Sequence, residues 1–227
     1  MATAETILNS DTKIQILRTL AMSDRSYSAE DLEKETTKDI TSIYKALEDL
    51  RREKTLEIVQ TDGKKKYYRL TGGTPSGLSM MGETLPGVGQ SIQSFFSSET
   101  RRYNLGKLPP HALNIIFNFR KNLLNQVEGL EELILFGSAA TGNYSLGSDI
   151  DLYIVLEKND KELENKIYST AEQYRHEFSL MIKSKDEYQN EFSKPLSKLA
   201  DSIIKDGYRI LYGEGKQLKK YSTKGEN

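Results

Sequence analysis

The apolar positions of the chain change period twice. Near the N-terminus Ile14, Leu17 and Leu20 recur at helical spacing, with Ile16 alongside, and predict an amphipathic helix. A second helix is expected from Ser28, where Asp31 stands three residues on, a capping-box arrangement with Asp in place of Glu. A third is expected after Thr36, with Asp39 at the same offset and a stripe of Ile40, Ile43, Leu47 and Leu50. The period then drops. LEIVQ and KKKYYRL are short β-prone runs on either side of Asp62-Gly63, a strong hairpin signal.

Periodicity fades between 72 and 110. Gly72-Gly73, Pro75, Gly77, Gly82, Pro86, Gly87 and Gly89 punctuate this stretch and predict a connector, with SIQSFF as a short helix inside it. Pro109-Pro110 closes it, and Pro110 suits the first turn of the next helix. Helix and strand alternate from 111. HALNIIFNFRKNLLNQ carries apolar residues at 112, 115, 116, 119, 123 and 124. LEELILFG is a strand ending in glycine, and DIDLYIVL is the next, with no helix-length segment between. KELENKIYSTAEQYR is helical, HEFSLMIKS is a third strand, and SKPLSKLADSIIKDGYRILYG is a helix ending near Asp206-Gly207. KKYSTKGEN is expected to fray. The chain thus divides into an N-terminal module at 1–71, a connector at 72–110, a second module at 111–213 and a polar tail at 214–227. The expected fold class is α+β, with a small mixed sheet flanked by helices in the second module.

Composition narrows the chemistry more than the class. The 227 residues are 37% apolar and 29% charged, ordinary for a soluble protein. No run approaches the roughly 18–20 apolar residues that span a membrane. MATAETILNSDTK lacks the basic and apolar regions of a secretory signal, so a cytoplasmic location is expected. There is no Cys, and His111 and His176 are the only histidines, which excludes thiolate and histidine-rich metal sites. A metal would be held by oxygen, which points to Mg²⁺ or Mn²⁺. His111 is expected in a helix N-terminal turn, and His176 as a partly exposed side chain rather than a base. Arg101, Arg102, Lys107, Arg120 and Lys121 fit a solvated face, or a surface that binds phosphate. The net charge of −1 favours no nucleic acid by itself.

In its order of elements the first module resembles a winged helix-turn-helix domain. The resemblance implies that helix 38–53 enters a DNA major groove and that the hairpin tip touches the backbone. Thr41, Ser42, Tyr44 and Lys45 would then face bases, and Lys64, Lys65 and Lys66 phosphates. It also implies a homodimer on two half-sites. Against DNA stands charge: residues 1–71 carry thirteen Lys and Arg and thirteen Asp and Glu, and Glu48 and Asp49 repel phosphate. Such modules also serve as protein-binding or dimerisation units.

The chemistry sits in residues 137–152, GSAATGNYSLGSDIDL. Asp149 and Asp151 are two apart on a predicted strand, so they share a face with Cα atoms roughly 6.5–7 Å apart. A divalent cation can sit between them, as metal-assisted phosphoryl transfer requires. Glycine at 137 lets the backbone approach a phosphate, and Ser138 adds a hydroxyl and an N–H. Gly142 relieves crowding on the far side of the turn, and Ser148 can cap or orient the loop. The plain alternative is a turn before a strand whose aspartates point to water, an arrangement open to any DIDL.

Gly137-Ser138, Gly142 and Ser148-Asp149-Ile-Asp151-Leu152, in that spacing, resemble the signature of the DNA polymerase beta-like nucleotidyltransferases, most of all the minimal ones of archaea and bacteria. Some archaeal proteins of this kind carry an N-terminal winged helix. The resemblance implies Mg²⁺-dependent transfer of a nucleoside monophosphate from an NTP to a hydroxyl or phosphate acceptor. Asp149 and Asp151 would bind metal; Gly137, Ser138, Gly142 and Ser148 would hold the nucleotide. Two positions depart from the pattern. Thr141 stands where a basic residue often precedes the second glycine. The third carboxylate of the family must come from HEFSLMIKS, which offers Glu177 and, on the same face, Ser179; serine cannot deprotonate an acceptor unaided, so the catalytic and metal-binding third position falls to Glu177. A carboxylate at the edge of a strand, paired with Arg175, is the plain alternative for Glu177. The family also includes antitoxins that modify or mask a small helical toxin. Two functions are therefore expected in competition: a transferase that acts on NTP, and a transcription regulator or antitoxin that binds nucleotide or partner with little turnover.

Overall fold

The computed structural model describes residues 10–23, 25–71, 88–145, 147–158, 160–174, 177–194 and 197–224. They fall into two compact units, one ending at Arg102 but including Pro109–Ile115, the other made of Tyr103–Leu108 and the residues from Ile116 on.

The first unit opens with helix α1 (Asp11–Ala21), α2 (Ala29–Glu35) and α3 (Ile40–Arg52). Helix α2 starts where expected. Ser28 Oγ accepts the Asp31 amide at 3.2 Å, and the Asp31 carboxylate takes the Ser28 amide at 3.1 Å. Helix α3 starts at the first residue of its apolar stripe, later than a cap at Thr36 predicts. The Thr36 hydroxyl donates back to the Leu32 carbonyl at 2.8 Å, and Asp39 caps α3 by accepting the Ser42 amide at 3.0 Å. Strands β1 (Leu56–Asp62) and β2 (Lys65–Leu70) pair antiparallel about Gly63, whose φ of +58° suits glycine in the turn. Tyr27 adds a bridge to Tyr68. Ile16, Leu17, Leu20, Leu32, Ile43, Leu47 and Leu50 form the core with Leu56, Tyr68 and Leu70 of the hairpin.

The stretch expected as a connector contributes to that core. Helix α4 (Val88–Arg102) is far longer than SIQSFF, and its Ile92 and Phe96, one turn apart, pack into the cluster. Its glycine and serine content hides the stripe. Residues 72–87 lie outside the described residues. Two sets of buried polar groups in this unit are paired across long separations. Lys13 meets Glu53 at 2.7 Å, and Asn114 accepts from Arg18 at 3.1 Å while donating to Thr19 and the Glu35 carbonyl at 2.9 Å each. Asn114 belongs to helix α5 (Pro110–Gln126), which Pro110 does open.

The second unit is a four-stranded mixed sheet flanked by helices. Strands β3 (Leu130–Phe136), β4 (Ile150–Leu156), β5 (Phe178–Ser184) and β6 (Arg209–Tyr212) lie in the order β5-β4-β3-β6. β3 runs antiparallel to both β4 and β6, whereas β4 and β5 are parallel, joined through helix α7 (Lys161–Glu172). The short helix α6 (Gly137–Thr141) links β3 to β4. Helices α8 (Lys185–Ser193), α9 (Lys198–Asp206) and α10 (Lys216–Lys224) complete the unit. Ile134, Tyr153 and Val155 pack with Tyr188, Phe192, Ala200, Ile203 and Leu218 from those helices. The opposite pleat positions, Leu133, Leu135, Leu152 and Ile154, are equally buried.

Three elements differ from expectation here. Helix α9 ends at Gly207, φ +94°, as expected, but RILY beyond it forms β6, an unexpected strand. Helix α8 follows β5 directly; its capping box, Ser184 with Glu187, is present in the sequence. The polar tail forms α10, with Leu218 wholly buried and the Tyr221 hydroxyl donating to Asp201 at 2.8 Å. Among the described residues no helix is long and apolar enough to cross a membrane.

Candidate functional site

The site begins where β3 ends. Phe136 pairs with Asp151 across the β3–β4 ladder, so the chain leaves the sheet beside that aspartate. Gly137 follows with φ +67°, and a Cβ built there would collide with Asp151 Oδ2. Only glycine lets the backbone pass against the carboxylate in that conformation. Helix α6 then makes one short turn and ends at Gly142, φ +78°, whose N–H bonds the Ser138 carbonyl.

The two aspartates differ in environment. Asp149 is exposed just before β4, and Asp151 is half-buried on it. Burial raises the Asp151 pKa above the ordinary carboxylate value; the Ser179 hydroxyl bond partly offsets this, and the Asp149 charge adds to it. Ser179 stands in register with Asp151 on the parallel neighbour β5. The two carboxylates are the hard oxygen donors that Mg²⁺ takes, and Asp149 and Asp151 are the residues that would hold it. Burial and mutual repulsion are what a cation between the two carboxylates would relieve.

Glu177 immediately precedes β5, and its carbonyl accepts the Ile150 amide at 2.7 Å, fixing its backbone beside the aspartates. The Tyr144 hydroxyl donates to Glu177 Oε2 at 3.4 Å. Burial, then the Glu177 charge and hydrogen bond, then the Asp149 charge push the Tyr144 pKa up to about 12. Among the described residues no group of three or more His, Asp or Glu is placed to hold a metal. Ser148 orients the loop. Its amide donates to the Ser145 carbonyl at 2.9 Å, and the two hydroxyls lie 2.7 Å apart. Arg175 and His176 lie outside the described residues.

Thr141 carries no charge and turns its hydroxyl inward, donating to the Ser138 and Gly137 carbonyls at 3.1 and 3.3 Å. A cation reaches the same turn from elsewhere in the unit. The stem of Lys107 lies across Gly142, where an added Cβ would stand 2.8 Å from Cδ and 2.9 Å from Cβ of the lysine. Lys107 is one of the five cations that the sequence offers as a solvated face or a phosphate-binding surface, and the missing cation at Thr141 is a second signal for it. Tyr144 is the residue that pattern alone does not single out.

In the first unit three of the seven candidate DNA contacts, Ser42, Tyr44 and Lys65, meet acidic side chains. Ser42 donates through both amide and hydroxyl to Asp39, and the Tyr44 hydroxyl donates to Glu30 at 3.0 Å. Lys65 lies 3.9 Å from the same Glu30. Thr41, Lys45, Lys64 and Lys66 are exposed. Glu48 and Asp49 pair with Arg51 and Arg52 at 2.8 and 3.6 Å along α3, which tempers their repulsion of phosphate.

A family model described as a nucleotidyltransferase domain matches residues 116–207, which contain the glycine-serine turn, both aspartates and Glu177. The second unit therefore carries a nucleotidyltransferase domain. Solved structures similar to this chain include a toxin–antitoxin complex with AMP-PNP, at 18% identity and a TM-score of 0.34, covering 49% of this chain and 81% of that one. Another is the tri-AMPylated HEPN toxin of Shewanella oneidensis in complex with an MNT antitoxin, at 15% identity and a TM-score of 0.32, covering 48% and 79%. No curated protein matches the chain.

Proposed function

We propose that the domain at 111–213 binds a Mg²⁺-NTP and transfers the nucleoside monophosphate to an acceptor hydroxyl. The observation that carries this is the contact between Gly137 and Asp151: a glycine at positive φ, opening a Gly-Ser turn, lies against the more buried of two coupled aspartates. Asp149 and Asp151 would hold the cation, which when bound neutralises charge on the triphosphate. Gly137, Ser138 and Gly142 bring backbone close to the phosphates, and Ser148 holds the loop that delivers Asp149. Glu177 serves as the base next to the acceptor rather than as a metal ligand, since its carboxylate is directed to a hydroxyl.

A second function competes: an antitoxin or regulator that binds nucleotide, or a helical protein partner, with little turnover. Thr141 and Ser179 favour it, the first for its lack of charge and the second because a hydroxyl, not a carboxylate, stands in register with Asp151. The first unit fits a winged helix, with three helices, a hairpin and exposed lysines at the tip, and would bring the protein to DNA as a dimer. Incubation with α-labelled NTPs, Mg²⁺ and protein, tRNA or DNA acceptors separates the two functions. Label moving to an acceptor, and lost in Asp149→Asn/Asp151→Asn, supports transfer. Binding of NTP with no label transferred to any acceptor supports the regulator.

A further inference from the structure

We propose that Tyr144 is itself an acceptor, so that the chain attaches a nucleoside monophosphate to its own phenolic oxygen. This rests on the nucleotidyltransferase function above. Tyr144 lies on the loop that runs from the Gly-Ser turn to the aspartates. Its hydroxyl reaches Glu177 Oε2 at 3.4 Å, and it is close enough to Asp149 to feel that charge. It therefore stands against the proposed base, on the loop that leads to the metal-binding carboxylates, where an incoming hydroxyl is needed.

Four neighbouring hydroxyls are committed elsewhere. Thr141 donates into the turn of α6, Ser145 and Ser148 bond each other, and Ser179 bonds Asp151. Tyr144 alone among these is aimed at Glu177. The 3.4 Å separation is long for an O–H···O bond and leaves slack for the approach of a phosphate; catalytic contacts commonly tighten when substrate arrives.

The step balances without a redox partner. Glu177 takes the phenolic proton, Tyr144 Oη attacks the α-phosphorus of the NTP, and the bond from that phosphorus to the bridging oxygen breaks. A tyrosyl phosphodiester remains on the chain and pyrophosphate leaves. The attached nucleotide would then fill the acceptor position, so self-modification would compete with transfer to any other hydroxyl.

The test uses the full chain with Mg²⁺ and each of ATP, GTP, CTP and UTP. Intact mass and peptide mapping read the adduct, and calorimetric titration reads Mg-NTP binding in parallel. The expected result is one nucleoside monophosphate on Tyr144. Tyr144→Phe loses the adduct while keeping the binding heat, and Glu177→Gln slows its appearance by at least about tenfold. Binding heat without an adduct, an adduct on another residue, or one that persists in Tyr144→Phe overturns the self-acceptor role and leaves the nucleotide site standing. Absence of binding heat in the unmodified chain overturns the nucleotide site and this inference with it.

Discussion

At Gly137 a single Cβ decides whether the site exists. Gly137→Ala forces a side chain into Asp151 Oδ2 and strains a backbone held at φ +67°, a conformation that costs L-residues about 1–3 kcal/mol. The expected outcome is a lower melting temperature together with loss of Mg-NTP binding, checked by calorimetry on the same preparation. Asp151 yields a pH prediction of opposite sign to the usual carboxylate. Its folded pKa is raised, so the folded state binds the extra proton more readily than the unfolded chain. Stability from this group is greatest below the ordinary aspartate pKa and is lost as pH rises through the raised value. Asp151→Asn should therefore be at least as stable as the native chain at neutral pH without metal, while losing the stabilisation that Mg²⁺ adds. Melting curves from pH 3 to 8, with and without Mg²⁺, measure both effects. Lys107 is expected to supply the cation that Thr141 lacks. Lys107→Ala should weaken Mg-NTP binding by about 1 kcal/mol, roughly fivefold, and Thr141→Lys in that background should restore it. An unchanged dissociation constant in Lys107→Ala removes the lysine from the site.

At the scale of elements, what the sequence makes legible is what local chemistry determines. Ser28 with Asp31, and Pro110, place the starts of α2 and α5 because caps and proline act within a turn. The aspartate pair and Gly-Ser turn are legible because their function needs particular residue types at fixed spacing. The elements that pattern does not show are held by few contacts over long separations. α10 looks like a polar tail because Leu218 and Tyr221 are its main inward-facing side chains. α4 looks like a connector because glycine and serine surround Ile92 and Phe96. β6 is only four residues long and follows the helix stop at Asp206-Gly207 by a single residue. These elements nevertheless matter. Phe96→Ala and Leu218→Ala, each emptying a buried site, should cost about 2–5 kcal/mol. Urea titration of each variant checks this; a loss below about 0.5 kcal/mol would mean that the helix is not part of its core. Tyr144 was beyond pattern altogether, since its meaning comes from Glu177, which is 33 residues away and brought near by the β4–β5 pairing.

At the scale of the molecule the two units carry different chemistry and are tested separately. The first offers DNA the exposed cations Lys64 and Lys66 at the hairpin tip and Lys45 on α3, with Lys66 within reach of the Glu48 charge. Binding should therefore be weak and strongly salt-dependent. Lys64→Ala with Lys66→Ala should lower affinity across sequences and reduce the salt slope by about two. Fluorescence anisotropy over a salt series measures this, and an unchanged slope would leave the first unit as a protein-binding module. The second unit carries the central claim, that its paired aspartates hold a Mg²⁺-nucleotide against the glycine-serine turn. Isothermal titration of MgATP into the full chain, beside Asp149→Asn/Asp151→Asn, tests this most directly. Saturable heat from the native protein and none from the double variant is the expected result; equal heats from both would rule out the aspartate pair as the nucleotide site.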